Sequence, residues 1–81
     1  MNVHVKLFAG ARQSAGRDTL VVSLPAEATV AELRTAMAQC VPELKALLPQ
    51  LMFAIDQEYA DDDALISEGA EVACIPPVSG G

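Results

Sequence analysis

Tryptophan is absent from this chain, aromatic residues make up 4% of it, and Lys and Arg together number five in 81 residues. Each shortage excludes something. With so few rings, any core must be aliphatic. With five cations against eleven Asp and Glu, and a formal charge of −6, the chain lacks the clustered basic side chains that nucleic acid or an anionic membrane would require. A basic protein cleft is the better match for its field. No run approaches the roughly eighteen apolar residues of a membrane span, and no basic segment followed by an apolar stretch opens the chain. A cytoplasmic location is therefore expected.

Reactive groups are also sparse. One histidine, His4, and two cysteines, Cys40 and Cys74, offer no metal-ligand spacing. Both cysteines sit among apolar neighbours and read as buried reduced thiols. There is no Gly-rich phosphate loop and no nucleophile elbow. Asp61-Asp62-Asp63 lacks the spaced ligands and glycine of a calcium loop and reads as a solvated turn. No bound metal or cofactor is expected.

What remains is abundant aliphatic character, 52% hydrophobic residues, in clear periodic segments. Residues 3–9 alternate, with Val3, Val5, Leu7 and Ala9 on one face and His4, Lys6 and Phe8 on the other, the pattern of a half-buried strand. Residues 10–16 allow one or two helical turns ended by Gly16. Residues 19–24 alternate again, and Pro25 stops them. Together these suggest a hairpin with a decorated loop. Thr29 followed by Glu32 is a capping box. Val30, Leu33, Met37, Cys40 and Val41 then form a stripe at helical spacing. Pro42 suits the first turn of a second helical piece over 43–48, closed by Pro49.

Residues 51–55 read as a third strand, with Leu51, Phe53 and Ile55 opposite Met52 and Ala54. Asp56-Gln57 makes a tight turn, and 58–60 a brief return strand. Leu65-Ile66 is expected to tuck beneath the sheet. Residues 71–75 form the last strand, with Val72 and Cys74 facing inward and Ala73 and Ile75 outward. Five short strands and one main helix give an α+β layout, a mixed five-stranded sheet with the helix packed across it. At this length that order points to a β-grasp, the ubiquitin-like fold, occupying residues 1–76.

Residues 77–81 are expected to form a flexible, extended C-terminal tail. Pro76 and Pro77 fix φ and remove two donors, so the sheet cannot continue through them. Gly80 and Gly81 remove side-chain bulk, which suits a carboxylate threaded into a narrow channel. If the first and last strands pair, Phe8 and Ile75 come together on the face away from the helix, and Val21, Met52 and Ala54 share that outward parity. Phe8, Ile75 and Met52 are therefore the candidate partner interface.

These residues carry a resemblance. Val5-Lys6-Leu7-Phe8-Ala9 with Arg12 and Gly16, then Glu68-Gly69-Ala70-Glu71-Val72-Ala73, then Pro76-Pro77-Val78-Ser79-Gly80-Gly81 resemble the small subunits of molybdopterin synthase, which are ubiquitin-like sulfur carriers. The family often has an aromatic residue where Ile75 stands. The resemblance implies that a ubiquitin-activating-type adenylating enzyme uses ATP and Mg²⁺ to activate the Gly81 carboxylate. A sulfur donor then converts it to a thiocarboxylate, and Pro77, Val78, Ser79 and Gly80 enter the large subunit, where the sulfur builds the dithiolene of the molybdenum cofactor. On this reading the chain is not catalytic alone and serves a heteromeric sulfurtransferase. A carrier for thiamine or another pathway, a ubiquitin-like modifier and a plain interaction module are the rival readings.

Overall fold

A computed structural model describes residues 1–77. In chain order it contains β1 (Asn2–Leu7), α1 (Ala9–Ala15), β2 (Thr19–Ser23), α2 (Val30–Cys40), two 3₁₀ turns (Pro42–Leu44 and Leu48–Gln50), β3 (Met52–Ile55), β4 (Glu58–Ala60) and β5 (Val72–Ile75). The five strands form one mixed sheet in the order β2-β1-β5-β3-β4. β1 and β5, the first and last strands, lie side by side and parallel at its centre, and every other pairing is antiparallel. This is the β-grasp arrangement that the element order implied.

The inner face of the sheet follows the alternation read from the sequence. Val3, Val5 and Leu7 of β1, Leu20 and Val22 of β2, Phe53 of β3 and Val72 and Cys74 of β5 are buried. They pack against Val30, Leu33 and Met37 of α2. The capping box is formed in full: the Glu32 amide donates to Thr29 Oγ1 at 3.2 Å, and the Thr29 amide donates to Glu32 Oε1 at 3.1 Å. Two of the donors that a helix start leaves unpaired are thereby satisfied.

Four local expectations are corrected. Ala9 does not extend the first strand. The Phe8 amide bonds the Cys74 carbonyl, the chain turns at Ala9 with φ 48°, and the Ala11 amide closes back on the Phe8 carbonyl at 3.1 Å, so Ala9 opens α1. Cys40 is exposed. It occupies the last position of α2 at the edge of the apolar stripe, and Val41 and Leu44 take the core positions beyond it.

The segment after Pro42 is two 3₁₀ turns, with Pro49 inside the second instead of closing a helix. Leu65 points outward with 62% exposure while Ile66 is buried, because Leu65 bridges Thr29 in extended form and successive side chains there face opposite ways.

Candidate functional site

The outer face of the sheet, away from α2, is a grid that the registers define. Lys6 lies beside Thr19 on one side and Ala73 on the other, Ala73 beside Ala54, and Ala54 beside Tyr59. One row thus crosses all five strands. The next row, toward the exit of β5, holds Met52 paired with Ile75. Phe8 follows β1 there, its amide donating to the Cys74 carbonyl at 3.3 Å.

Two alanines in the middle of a row flanked by longer side chains leave a depression. A groove of about 340 Å³ runs along β5, with Ala54 and Ala73 at its base, Phe8 and Ile75 at the end nearer Pro76, Tyr59 and Lys6 at its sides, and Glu71 with Gln57 at the far end. Phe8, Tyr59 and Met52 are exposed, and Ile75 is half-buried. The far end is held by the hairpin turn. The Asp56 amide donates to the Glu71 carbonyl at 2.8 Å, and the Glu71 amide donates to Asp56 Oδ1 at 3.0 Å. Asp56 and Gln57 both have left-handed φ, 50° and 72°, as a two-residue hairpin connection demands.

The structure therefore brings Phe8 and Ile75 into one groove and sets Met52 against Ile75 in register. Val21 is exposed on the same face but stands beside His4 on β2, two strands from β5 and outside the groove. Ala54 has the outward parity expected of it and is nonetheless buried, because it forms the groove's base between Ala73 and Tyr59. Pro77 is exposed and belongs to no strand or helix. The expected tail residues Val78, Ser79, Gly80 and Gly81 lie outside the described residues.

Sequence reasoning missed Tyr59, Lys6 and Glu71 as groove residues. Tyr59 is on a strand of three residues, too short for alternation to assign a face. The available signal was the tight turn, which places Tyr59 opposite Ala54 once Asp56-Gln57 is taken as a two-residue connection.

On the opposite side of the sheet, Arg34, which the sequence did not single out, ties together the segments that flank β3. Its Nη1 donates to the carbonyls of Leu48 and Leu51, the latter at 2.8 Å, and its Nη2 donates to Asp62 Oδ1 at 2.8 Å. The guanidinium carbon stands 4.9 Å from the centroid of the Phe53 ring, within cation–π range. One carboxylate of the Asp61-Asp62-Asp63 run is thus an ion-pair partner. Burial pushes the Cys74 thiol up to about 11, a shift that the nearby Arg34 charge partly offsets. Among the described residues no charged side chain is buried, no group of three His, Cys, Asp or Glu could hold a metal, and no helix is long and apolar enough to cross a membrane. What the described surface offers is shape and apolar contact beside the exit of the last strand.

Comparison with known proteins gives three concordant findings. The model of the ThiS family matches residues 5–81. A molybdopterin synthase sulfur carrier subunit of Caenorhabditis briggsae is 37% identical, the match covering 100% of this chain and 99% of that protein. Among solved structures, SAMP1 from Haloferax volcanii, a small archaeal modifier protein, superposes with a TM-score of 0.88 at 28% identity, covering 100% of both chains. A putative molybdopterin converting factor subunit 1 from Pyrococcus furiosus does so at 0.85 and 28% identity, covering 96% of this chain and 99% of that one.

Proposed function

The chain belongs to the ThiS family, and from that premise we propose that it is the sulfur carrier subunit of a molybdopterin synthase, carrying sulfur as a thiocarboxylate on Gly81. The observation that carries the reading is the placement of Phe8, Ile75 and Met52 in adjoining positions at the end of β5 from which Pro76 and Pro77 leave. An apolar face there can hold the carrier on its partner while the terminus reaches inward. Five residues from Pro77 to Gly81 span at most about 16 to 18 Å when extended, enough to pass from a docking face into an enclosed site. Full-length likeness to sulfur carrier subunits supports the choice of pathway.

The chemistry follows from the terminal group. An α-carboxylate titrates near pH 3.3 to 3.7, so at neutral pH it is an anion and a poor acyl electrophile. Activation is supplied in trans: within a ubiquitin-activating-type enzyme, the Gly81 carboxylate attacks ATP, assisted by Mg²⁺, and becomes an acyl-adenylate with release of pyrophosphate. Sulfide-level sulfur from a donor then displaces AMP and leaves a terminal thiocarboxylate, whose sulfur is a stronger nucleophile than a carboxylate oxygen. Val78, Ser79 and Gly80 pass into the large subunit, and the glycines let the backbone fit a channel that side chains would block. There the sulfur is delivered to a pterin precursor to build the dithiolene. The carrier positions the sulfur and is not catalytic alone.

The superposition on a small archaeal modifier protein favours one second reading, attachment of Gly81 to lysines of other proteins. Affinity purification of the tagged chain from its own cells separates the two. Recovery of a molybdopterin synthase large subunit in stoichiometric amount supports the carrier, whereas recovery of a thiamine-pathway partner or of isopeptide adducts without that subunit overturns it.

A further inference from the structure

Lys6 is the odd member of the groove. It stands beside Ala73 in register, two residues before Phe8, on the side opposite Tyr59. The ion pairs among the described residues are Arg12 with Asp18 and Arg34 with Asp62, and Lys6 takes part in neither. Among the described residues, the only other charged side chain lining the groove is Glu71 at its far end, in the row beyond Ala73. In the free carrier water satisfies an exposed ammonium at little cost. When a partner covers the face, that water leaves, and a desolvated ammonium is strongly disfavoured unless an acceptor replaces it.

We propose that Lys6 is a specificity-determining residue of the docking face, pairing with a carboxylate side chain on the large subunit that covers the groove. The inference rests on the docking role assigned to this face above. It gives the partner a definite charge pattern. The carrier's net charge of −6 draws in surfaces that are positive overall, and this long-range attraction is indifferent to register. A single carboxylate opposite Lys6 is the inverse of that field. It therefore distinguishes the cognate surface from other basic surfaces and fixes the carrier along the strand direction, which aims the chain beyond Pro77.

The test uses the full-length chain and the large molybdopterin synthase subunit of the same organism, with affinity measured by calorimetry at low and at physiological salt. Lys6→Met is expected to weaken binding at least about tenfold, equivalent to about 1.4 kcal/mol. Lys6→Glu is expected to weaken it further, with the loss growing as salt is lowered, and Lys6→Arg to restore most of the affinity. The thermal midpoints of all three should stay at the wild-type value, because the side chain is exposed. Binding by Lys6→Met as tight as wild type, or tighter, overturns the proposal. So does a loss that disappears in a Glu71→Gln background, since Lys6 would then be acting on its own chain. If the wild-type chain does not bind the large subunit, the docking role itself fails and this inference falls with it; if wild type binds and only the Lys6 effects are missing, the docking role stands.

Discussion

The Phe8 amide donates to the Cys74 carbonyl at 3.3 Å, immediately past the last paired position of β1 and β5, Leu7 with Cys74. That bond carries Phe8 into the row of Ile75, and the turn at Ala9 then takes the chain away from the sheet. An apolar pair assembled from the two ends of the sequence is thus set where Pro76 begins. The inner face holds the buried core, and under the proposed docking role the outer face is left for partner contact.

Charged substitutions on the outer face should accordingly spare the fold. Phe8→Asp and Ile75→Glu are expected to shift stability by no more than about 1 kcal/mol while weakening the affinity for the large subunit by about tenfold or more. Parallel thermal melts and titrations check this. Unfolding of either variant would mean that these side chains carry core packing.

Arg34 is expected to behave in the opposite way. Arg34→Met removes the side-chain donor from the Leu51 carbonyl, leaves the Leu48 carbonyl with the Leu51 amide as its remaining donor, and takes away the partner of Asp62, so a loss of about 1 to 3 kcal/mol is expected. Arg34→Lys keeps the charge but not the planar fork and should recover only part of that loss. Urea midpoints at unchanged slope provide the measurement. None of this was legible in the sequence, because the acceptors lie in distant turns whose placement depends on the finished fold.

Cys74 supplies a pH dependence. Its folded pKa is raised from 9.0 to about 11 by burial, so the unfolded chain ionises first. Stability is therefore fully present below about pH 9 and declines as pH rises from there through about 11, by roughly 2 to 3 kcal/mol in all. Unfolding free energies between pH 8 and 11 should show this decline, and Cys74→Val should flatten it. A thiol reagent at neutral pH should label exposed Cys40 at once and Cys74 only on unfolding.

Thr29→Ala removes one half of the capping box and should cost about 1 kcal/mol, with Glu32→Ala costing less because the Thr29 oxygen is retained. Denaturant midpoints decide it.

The pattern of what could be read follows from range. Strand parity and the capping box depend on residues within a few positions, so the faces of β1, β2 and β5 and the start of α2 were legible in the sequence. The pairing of β1 with β5 required the fold analogy. Ala9 continued an apolar alternation by residue type while the backbone turned beneath it, and Cys40 matched a helical spacing at the point where the helix ended. Tyr59 and Lys6 entered the groove through cross-strand register, which no single segment encodes.

Sulfur carriage by Gly81 is read from the intact mass of the chain recovered from its own cells under conditions that preserve thiocarboxylates, with fragmentation to locate any change. A fraction is expected in which one oxygen of the Gly81 carboxylate is replaced by sulfur, absent from a variant lacking Gly81 and from one extended by a single residue, both of which should melt like wild type. An unmodified carboxylate throughout, in cells actively making molybdenum cofactor, would contradict that role.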